Sequence, residues 1–292
     1  MFSVHKIQGQ TVEKTVKSVV DLKSVFEGAQ AYVMLSRMKE MDQLHILDEL
    51  PEKKIYPILK AQNEITRLET ISINKNPNAW DKKCERDVVR ICSLNCRSLL
   101  DKFYHVRSDQ SLRQSDVLVL AETWLQKDIV GDKKYELEGY DVHFNSTGRG
   151  KGLAIFFKIE LENVIDYNEE KINITKLECD EFDMIAVYRS ADGSLDRLVS
   201  KLLEILNLSK STVVVGDMNV CNQRRPDNVL KTLLEELGFK EWVRQATHIE
   251  GGHLDHAYIL NVRNFKEEPI IYLVPKYYSD HDALCICLQK SS

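Results

Sequence analysis

The chain has 292 residues, 43% hydrophobic and 29% charged, a balance that excludes a disordered or fibrous polymer and fits one large domain or two smaller ones. Its net charge of −5 argues against a grip on nucleic acid through a broad basic surface, so any such contact needs a local basic rim. No apolar run reaches the length of a membrane span, and the opening Met1-Phe-Ser-Val-His-Lys-Ile is too polar for a signal peptide.

Residues 1–52 carry mixed signals: a polar opening, an apolar stretch at 16–22, then Ala31, Leu35 and Met38 at helical spacing. Residues 53–72 predict an amphipathic helix with Ile55, Ile58, Leu59, Ile65 and Leu68 on one side. Asn74-Lys-Asn-Pro-Asn78 breaks that pattern and 81–87 is charged, so 53–87 is expected to be a helical segment and linker. From residue 88 the texture changes. Short β-branched runs predict strands at 88–94, 117–121, 153–157, 184–187, 212–215, 254–260, 270–274 and 284–288. Helical patterns fall around 99–113, 195–208 and 227–237, the last bracketed by Asp227 and Gly238. Strands outnumber helices and some connections are hairpin-short, which predicts an α/β fold with more than one mixed sheet across 88–292. The seven cysteines are an odd number without paired spacing; Cys92, Cys96, Cys285 and Cys287 read as small buried hydrophobes, and a reducing compartment is expected.

The chemistry gathers where the predicted strands end. Val-Val-Val-Gly-Asp-Met-Asn at 213–219 turns at Gly216 and presents Asp217 and Asn219 together. Asn95 ends the 88–94 run, and Glu122 ends 117–121. Asp255 enters an apolar stretch, and Asp280 stands beside His281 before the final strand. Each alone fits a turn cap or a solvated strand edge. Four carboxylates abutting apolar strands would mostly be buried, however, and buried charges are costly unless paired or metal-bound. A magnesium ion takes such oxygen ligands, and a histidine oriented by an acid is equipped for proton transfer.

In this order the motifs resemble the endonuclease/exonuclease/phosphatase family, which includes pancreatic deoxyribonuclease and abasic-site endonucleases. Leu94-Asn-Cys-Arg-Ser98, Ala121-Glu-Thr-Trp-Leu125, Gly148-Arg-Gly-Lys-Gly-Leu-Ala154 and Val187-Tyr-Arg-Ser190 resemble signatures of non-LTR retrotransposon endonuclease domains. The resemblance implies a four-layered α/β sandwich of two mixed sheets flanked by helices. It implies Mg2+, with Mn2+ as an alternative, held by Glu122 with Asn95 and Asp280. It implies that Asp217 orients or deprotonates water, Asn219 holds the scissile phosphate, and His281 paired with Asp255 contacts a phosphate oxygen or transfers a proton. Tyr188 matches a tyrosine that stabilises the phosphate or leaving group. The implied reaction is DNA nicking to a 3′-hydroxyl and a 5′-phosphate. Arg97 departs from the abasic-site enzymes, which have an aspartate there, and this favours the retrotransposon type.

Val4-His-Lys-Ile-Gln-Gly-Gln-Thr11, Gln30-Ala-Tyr-Val-Met-Leu-Ser-Arg37 and Leu44-His-Ile-Leu47 resemble late motifs of superfamily 1 DNA helicases. No Gly-x-x-x-x-Gly-Lys-Ser/Thr loop occurs in this sequence, so no ATPase or helicase activity is expected of it. The combination resembles the C-terminal end of a Helitron-type transposon protein. The expectation is a fragment or truncated gene product: a helicase remnant at 1–52, a linker at 53–87 and the nuclease at 88–292, in the nucleus, with DNA as partner and neither membrane nor small-molecule cofactor. Two other readings stand beside it. One is a phosphatase or phosphodiesterase of the same fold acting on inositol phosphates or sphingomyelin; the other is a non-catalytic DNA-binding transposon remnant.

Overall fold

The computed structural model describes residues 88–126, 133–145, 151–262 and 265–290, with the backbone of two short strands before them. The chain divides into two compact units, Met1–Ala79 and Trp80–Ser292. In the first, β1 (Ser18–Val20) pairs in parallel with β2 (Leu44–Ile46). The helix expected at 53–72, the linker, and the helicase-like motifs apart from 44–46 lie outside the described residues.

The second unit contains two mixed sheets of six strands. One has the order β13 (Ile270–Val274), β14 (Ala283–Gln289), β3 (Val88–Asn95), β4 (Val117–Ala121), β6 (Leu153–Phe157) and β5 (Asp141–Asn145). The other runs β11 (Lys240–Glu241), β12 (Asp255–Leu260), β10 (Ser211–Asp217), β9 (Phe182–Arg189), β8 (Ile172–Glu178) and β7 (Asn163–Glu169). The sheets share one pairing pattern, two antiparallel contacts on either side of a single parallel pair, β3 with β4 and β9 with β10.

Strand parity builds the layers, because alternate side chains point to opposite faces. Val89 and Ile91, Val117 and Val119, Met184 and Ala186, and Val213 and Val215 meet in the core between the sheets. Leu94, Leu118 and Leu120 face outward and pack under α1 (Leu99–Ser108) and α2 (Gln110–Arg113) through Phe103, Val106 and Leu112. On the other side Ile185, Val187 and Val214 pack under α3 (Leu195–Ile205) and α4 (Val229–Glu236) through Leu198, Leu202, Leu230 and Leu234. The result is the four-layered sandwich that the motifs imply. Asn228, not Asp227, caps α4, its side chain accepting from the Lys231 N–H. Cys92, Cys96 and Cys285 are buried as free thiols, as their apolar settings predict, while Cys287 is half-buried.

Candidate active site

The polar strand ends continue the parity of the sandwich core. On β9, β10 and β12 the inward rows read Met184, Ala186, Tyr188; Val213, Val215, Asp217; and Ile259, Ala257, Asp255. Asp217 is the ladder partner of both Tyr188 and Asp255, so the three lie side by side at one end of the second sheet. Asn95 continues the row Val89, Ile91, Ser93 on the first sheet, and Glu122 directly follows β4. Hydrogen bonds join the two sheets here. Asn95 Nδ2 donates to Glu122 Oε1 at 2.9 Å and to Asp217 Oδ2 at 2.8 Å, and Tyr188 Oη donates to Glu122 Oε1 at 3.1 Å.

The loops that present these groups leave ordinary backbone conformation. Arg97 (φ 45), Ser98 (φ 94), Glu122 (φ 52), Trp124 (φ 59) and Asn219 (φ 50) all lie in the left-handed region, which costs on the order of 1–3 kcal/mol per residue. Continued bonding holds the first two loops: the Cys96, Ser98 and Leu99 N–H groups donate to the carbonyls of Ala121, Glu122 and Thr123. The third is held by Arg189, a buried guanidinium that bonds carbonyls. Its Nε donates to Met218 O at 2.7 Å, Nη2 to Asn219 O at 2.7 Å and Nη1 to Gly193 O at 2.6 Å. Asn219 Nδ2 returns a bond to Arg189 O at 2.8 Å and also donates to Asp217 Oδ2 at 3.1 Å.

Asp217 and Asp255 are both buried, at 1% and 0% exposure, with His281 at 5%. His281 Nδ1 lies 2.8 Å from Asp255 Oδ2. Burial and the neighbouring charge of Asp255 raise Asp217 to about 7, against the pull of His281 and the Asn95 and Asn219 hydrogen bonds. Burial works to raise Asp255 too, but the His281 charge and hydrogen bond hold it below the usual carboxylate range. Burial pushes the His281 imidazole down, yet the charge and hydrogen bond of Asp255, with Asp217 and Asp280, outweigh it and carry the ring up to about 10. Burial and the Glu122 charge raise the Tyr188 phenol, which therefore stays a donor.

A test follows from this pairing. A histidine raised from 6.5 to about 10 stabilises the fold fully below pH 6.5, and that contribution is lost as the pH rises through about 10. Asp255→Asn is expected to bring the loss down towards neutrality. An NMR titration of the His281 ring reads it, and a midpoint still near 10 in the variant would place the cause of the elevation elsewhere.

Asp280 stands at the rim. Its Oδ2 pairs with Arg97 Nη1 and lies 3.3 Å from His248 Nε2, while its buried Oδ1 has no hydrogen-bond partner. Burial would raise its carboxyl, but His281, Arg97 and His248 outweigh that and hold it low. Arg97, Lys102, Trp124, Tyr277, Tyr278 and Asp280 are among the residues lining a cleft of about 500 Å³. The local basic rim that the acidic composition calls for therefore has candidates in Arg97 and Lys102.

All eight residues singled out in the sequence thus sit at strand ends or the loops beside them. Asn95, Glu122, Tyr188, Asp217 and Asn219 form one hydrogen-bonded group; Asp255 and His281 form a pair that joins it through the Asp217–Asp255 ladder position. In this arrangement Asn95 turns its amide nitrogen to the carboxylates, while its Oδ1 accepts from the Arg97 N–H at 3.0 Å. Ligation of a cation through its oxygen requires the amide to turn over. Sequence reasoning missed Thr247, whose Oγ1 accepts from Leu254 N and Asp255 N, and His248, which stacks edge-on against His281 at 4.8 Å. It quoted Arg189 within a motif without giving it a role.

Comparisons with known proteins bear on the family and the fold. A model of the Endonuclease/Exonuclease/phosphatase family matches residues 92–281. An AP endonuclease from Archaeoglobus fulgidus is 20% identical with a TM-score of 0.55, covering 68% of this chain and 98% of that one. The endonuclease domain of TRAS1, a telomere-specific non-LTR retrotransposon, is 14% identical with a TM-score of 0.52, covering 70% and 100%. A 3′ phosphatase from Neisseria, bound to a product DNA hairpin, is 14% identical with a TM-score of 0.55, covering 70% and 100%. At these identities the likeness is one of fold. A short N-terminal stretch is similar to the ATP-dependent DNA helicase RRM3 of Saccharomyces cerevisiae, 42% identical over 69 residues, or 24% of this chain. The chain spans 9% of that protein's length.

Proposed function

Because the chain belongs to the endonuclease/exonuclease/phosphatase family, we propose that it is a magnesium-dependent DNA endonuclease that nicks to a 3′-hydroxyl and a 5′-phosphate. The observation that carries this reading is the buried Asp217, held between the amides of Asn95 and Asn219 and laddered to the Asp255–His281 pair. A divalent cation fits the donor set: Glu122 and Asp280 are hard oxygen donors, and Asp280 Oδ1 is a buried oxygen without a hydrogen-bond partner. Glu122, Asp280 and, with its amide turned, Asn95 would hold it, and when bound it supplies positive charge for a phosphate oxygen and a leaving oxygen.

The chain's own groups divide the rest. Asp217, raised to about 7, is matched to accepting a proton from water near neutrality. His281 keeps its proton there and serves as a cationic donor to a phosphate oxygen. Asn219 orients the phosphate by giving up the longer of its two Nδ2 bonds, that to Asp217 Oδ2, and Tyr188 donates to Glu122 and fixes that carboxylate. The helicase likeness of the N-terminal stretch supports a Helitron-type transposon protein, for which the nucleus is the expected place of work.

The test is nicking of supercoiled plasmid in magnesium, with manganese and with inositol phosphates and sphingomyelin as parallel arms. Glu122→Gln is expected to lose nicking at limiting magnesium and regain part of it as magnesium is raised, as loss of a ligand dictates. Phosphate or phosphocholine release from the small substrates without nicking would replace the DNA reading. Equal nicking by wild type and variant at every magnesium concentration would remove Glu122 from the metal site.

A further inference from the structure

On the outer face of the second sheet lies another group of ligating side chains, which takes no part in the chemistry above. Glu241 on β11 is the ladder partner of Tyr258, two residues along β12 from His256. His253 and His256 stand three apart and straddle Asp255. All three residues are buried, at 5%, 3% and 0% exposure.

Their donor atoms converge. Glu241 Oε1 lies 2.8 Å from His256 Nδ1 and 3.4 Å from His253 Nε2, and all three atoms lie within 4.8 Å of one another. A tetrahedral zinc ion with bonds of about 2.0 Å sets its donors about 3.3 Å apart, so these separations need only small adjustments. His253 Nε2 is the second observation: it is buried 3.4 Å from Glu241 Oε1 and yet has no hydrogen-bond partner. A buried ring nitrogen without a partner is unfavourable, and a cation between it and Glu241 resolves that.

The surroundings match those of a metal site. His256 Nε2 lies 2.8 Å from Val220 O, the outward carbonyl contact that orients a ligating imidazole. Nδ1 lies 2.8 Å from Glu241 Oε1 and 3.3 Å from the Asn222 Nδ2 donor, so its place beside the carboxylate is satisfied by a second ring proton or by a cation between the two. Asn222 Nδ2 lies 2.9 Å from each Glu241 oxygen and holds the carboxylate in place. Two imidazoles and one carboxylate suit zinc better than magnesium, which favours oxygen-rich sets.

We propose that Glu241, His253 and His256 bind one zinc ion, which pins the start of β12 and with it Asp255. The ion has three protein ligands with its fourth position left to water, and it is distinct from the cation of the proposed reaction. The test uses the full chain, loaded with zinc chloride and dialysed against magnesium buffer without chelator, with metal content read by mass spectrometry. The expected result is about one zinc per chain, a thermal midpoint that rises with zinc but not with magnesium, and visible absorption of tetrahedral cobalt when Co2+ replaces zinc. His253→Ala and, separately, His256→Gln should lose the zinc and the cobalt bands. Folded wild-type protein that retains no zinc and shows no cobalt bands overturns the proposal, as does a His253→Ala protein that keeps zinc as the wild type does. DNA cleavage is not the readout, so a chain inactive on DNA still decides it.

Discussion

Asp217→Asn is expected to slow phosphodiester hydrolysis by about 10³-fold, the scale of a lost general base, while leaving the protein folded. In metal-free protein the same change should raise stability above neutral pH. A carboxyl whose folded value is raised from 3.8 to about 7 imposes no cost below pH 3.8; the cost grows as the pH rises and is complete above about 7. Three units correspond to on the order of 4 kcal/mol, reduced here because Asp217 and Asp255 titrate together. The opposing cost is smaller. With its oxygen kept toward Asn95 Nδ2 and Asn219 Nδ2, the new amide turns its nitrogen to the Asn219 backbone N–H, which loses its acceptor at a cost of about 1–3 kcal/mol. Single-turnover cleavage, together with urea unfolding in EDTA at pH 5 and pH 8, reads both effects. A variant that cleaves within tenfold of wild type removes Asp217 from the role of base; one no more stable at pH 8 contradicts the buried-charge account.

The second large effect is structural. Gly216→Ala is expected to cost about 4 kcal/mol or more and to leave little soluble protein, because two penalties act at one atom. Gly216 has φ +141°, a conformation that side-chain-bearing residues rarely adopt, and an added Cβ would lie 1.9 Å from Val187 O on the adjacent parallel strand. No rotamer change relieves a contact with backbone. β9 and β10 would have to part at the register position that precedes the Tyr188–Asp217 pair. Chemical denaturation of whatever soluble protein is obtained measures the loss, and a midpoint equal to wild type would refute the close approach.

Much of the fold was legible because its cores are apolar and its strands keep period two. The strands expected at 117–121, 153–157 and 270–274 have those bounds, and the three helical patterns became α1 with α2, α3 and α4. The strands that escaped notice are the polar ones. β7 reads Asn-Val-Ile-Asp-Tyr-Asn-Glu and is an exposed edge. β8 is buried despite Asn173, Thr175 and Lys176, since each finds a partner that composition cannot show: Asn173 Oδ1 accepts from Gly152 N, Thr175 bonds Asp166, and Lys176 pairs with Glu178 and Asp183. The site divides in the same way. Asp217 and Asp255 declare themselves as polar residues at the ends of apolar runs, and Tyr188 is reached through the family resemblance. Thr247, His248 and Arg189 do not, because their partners are backbone groups or distant loops that meet only after folding.

The order in which the chain visits the two sheets bears on when the protein becomes complete. It lays down β3 to β6 in the first sheet, spends residues 163–260 on the second, and returns to the first for β13 and β14. During synthesis on the ribosome, β3 can pair with β4 on one side, but its other edge waits open until residues 283–289 emerge to cover it. Asp280 and His281 arrive in that same late segment. A nascent chain thus holds Glu122 and Asp217 well before it holds Asp280 and His281, and a prematurely terminated product would both lack that pair and, with its exposed edge, be a target for aggregation or degradation.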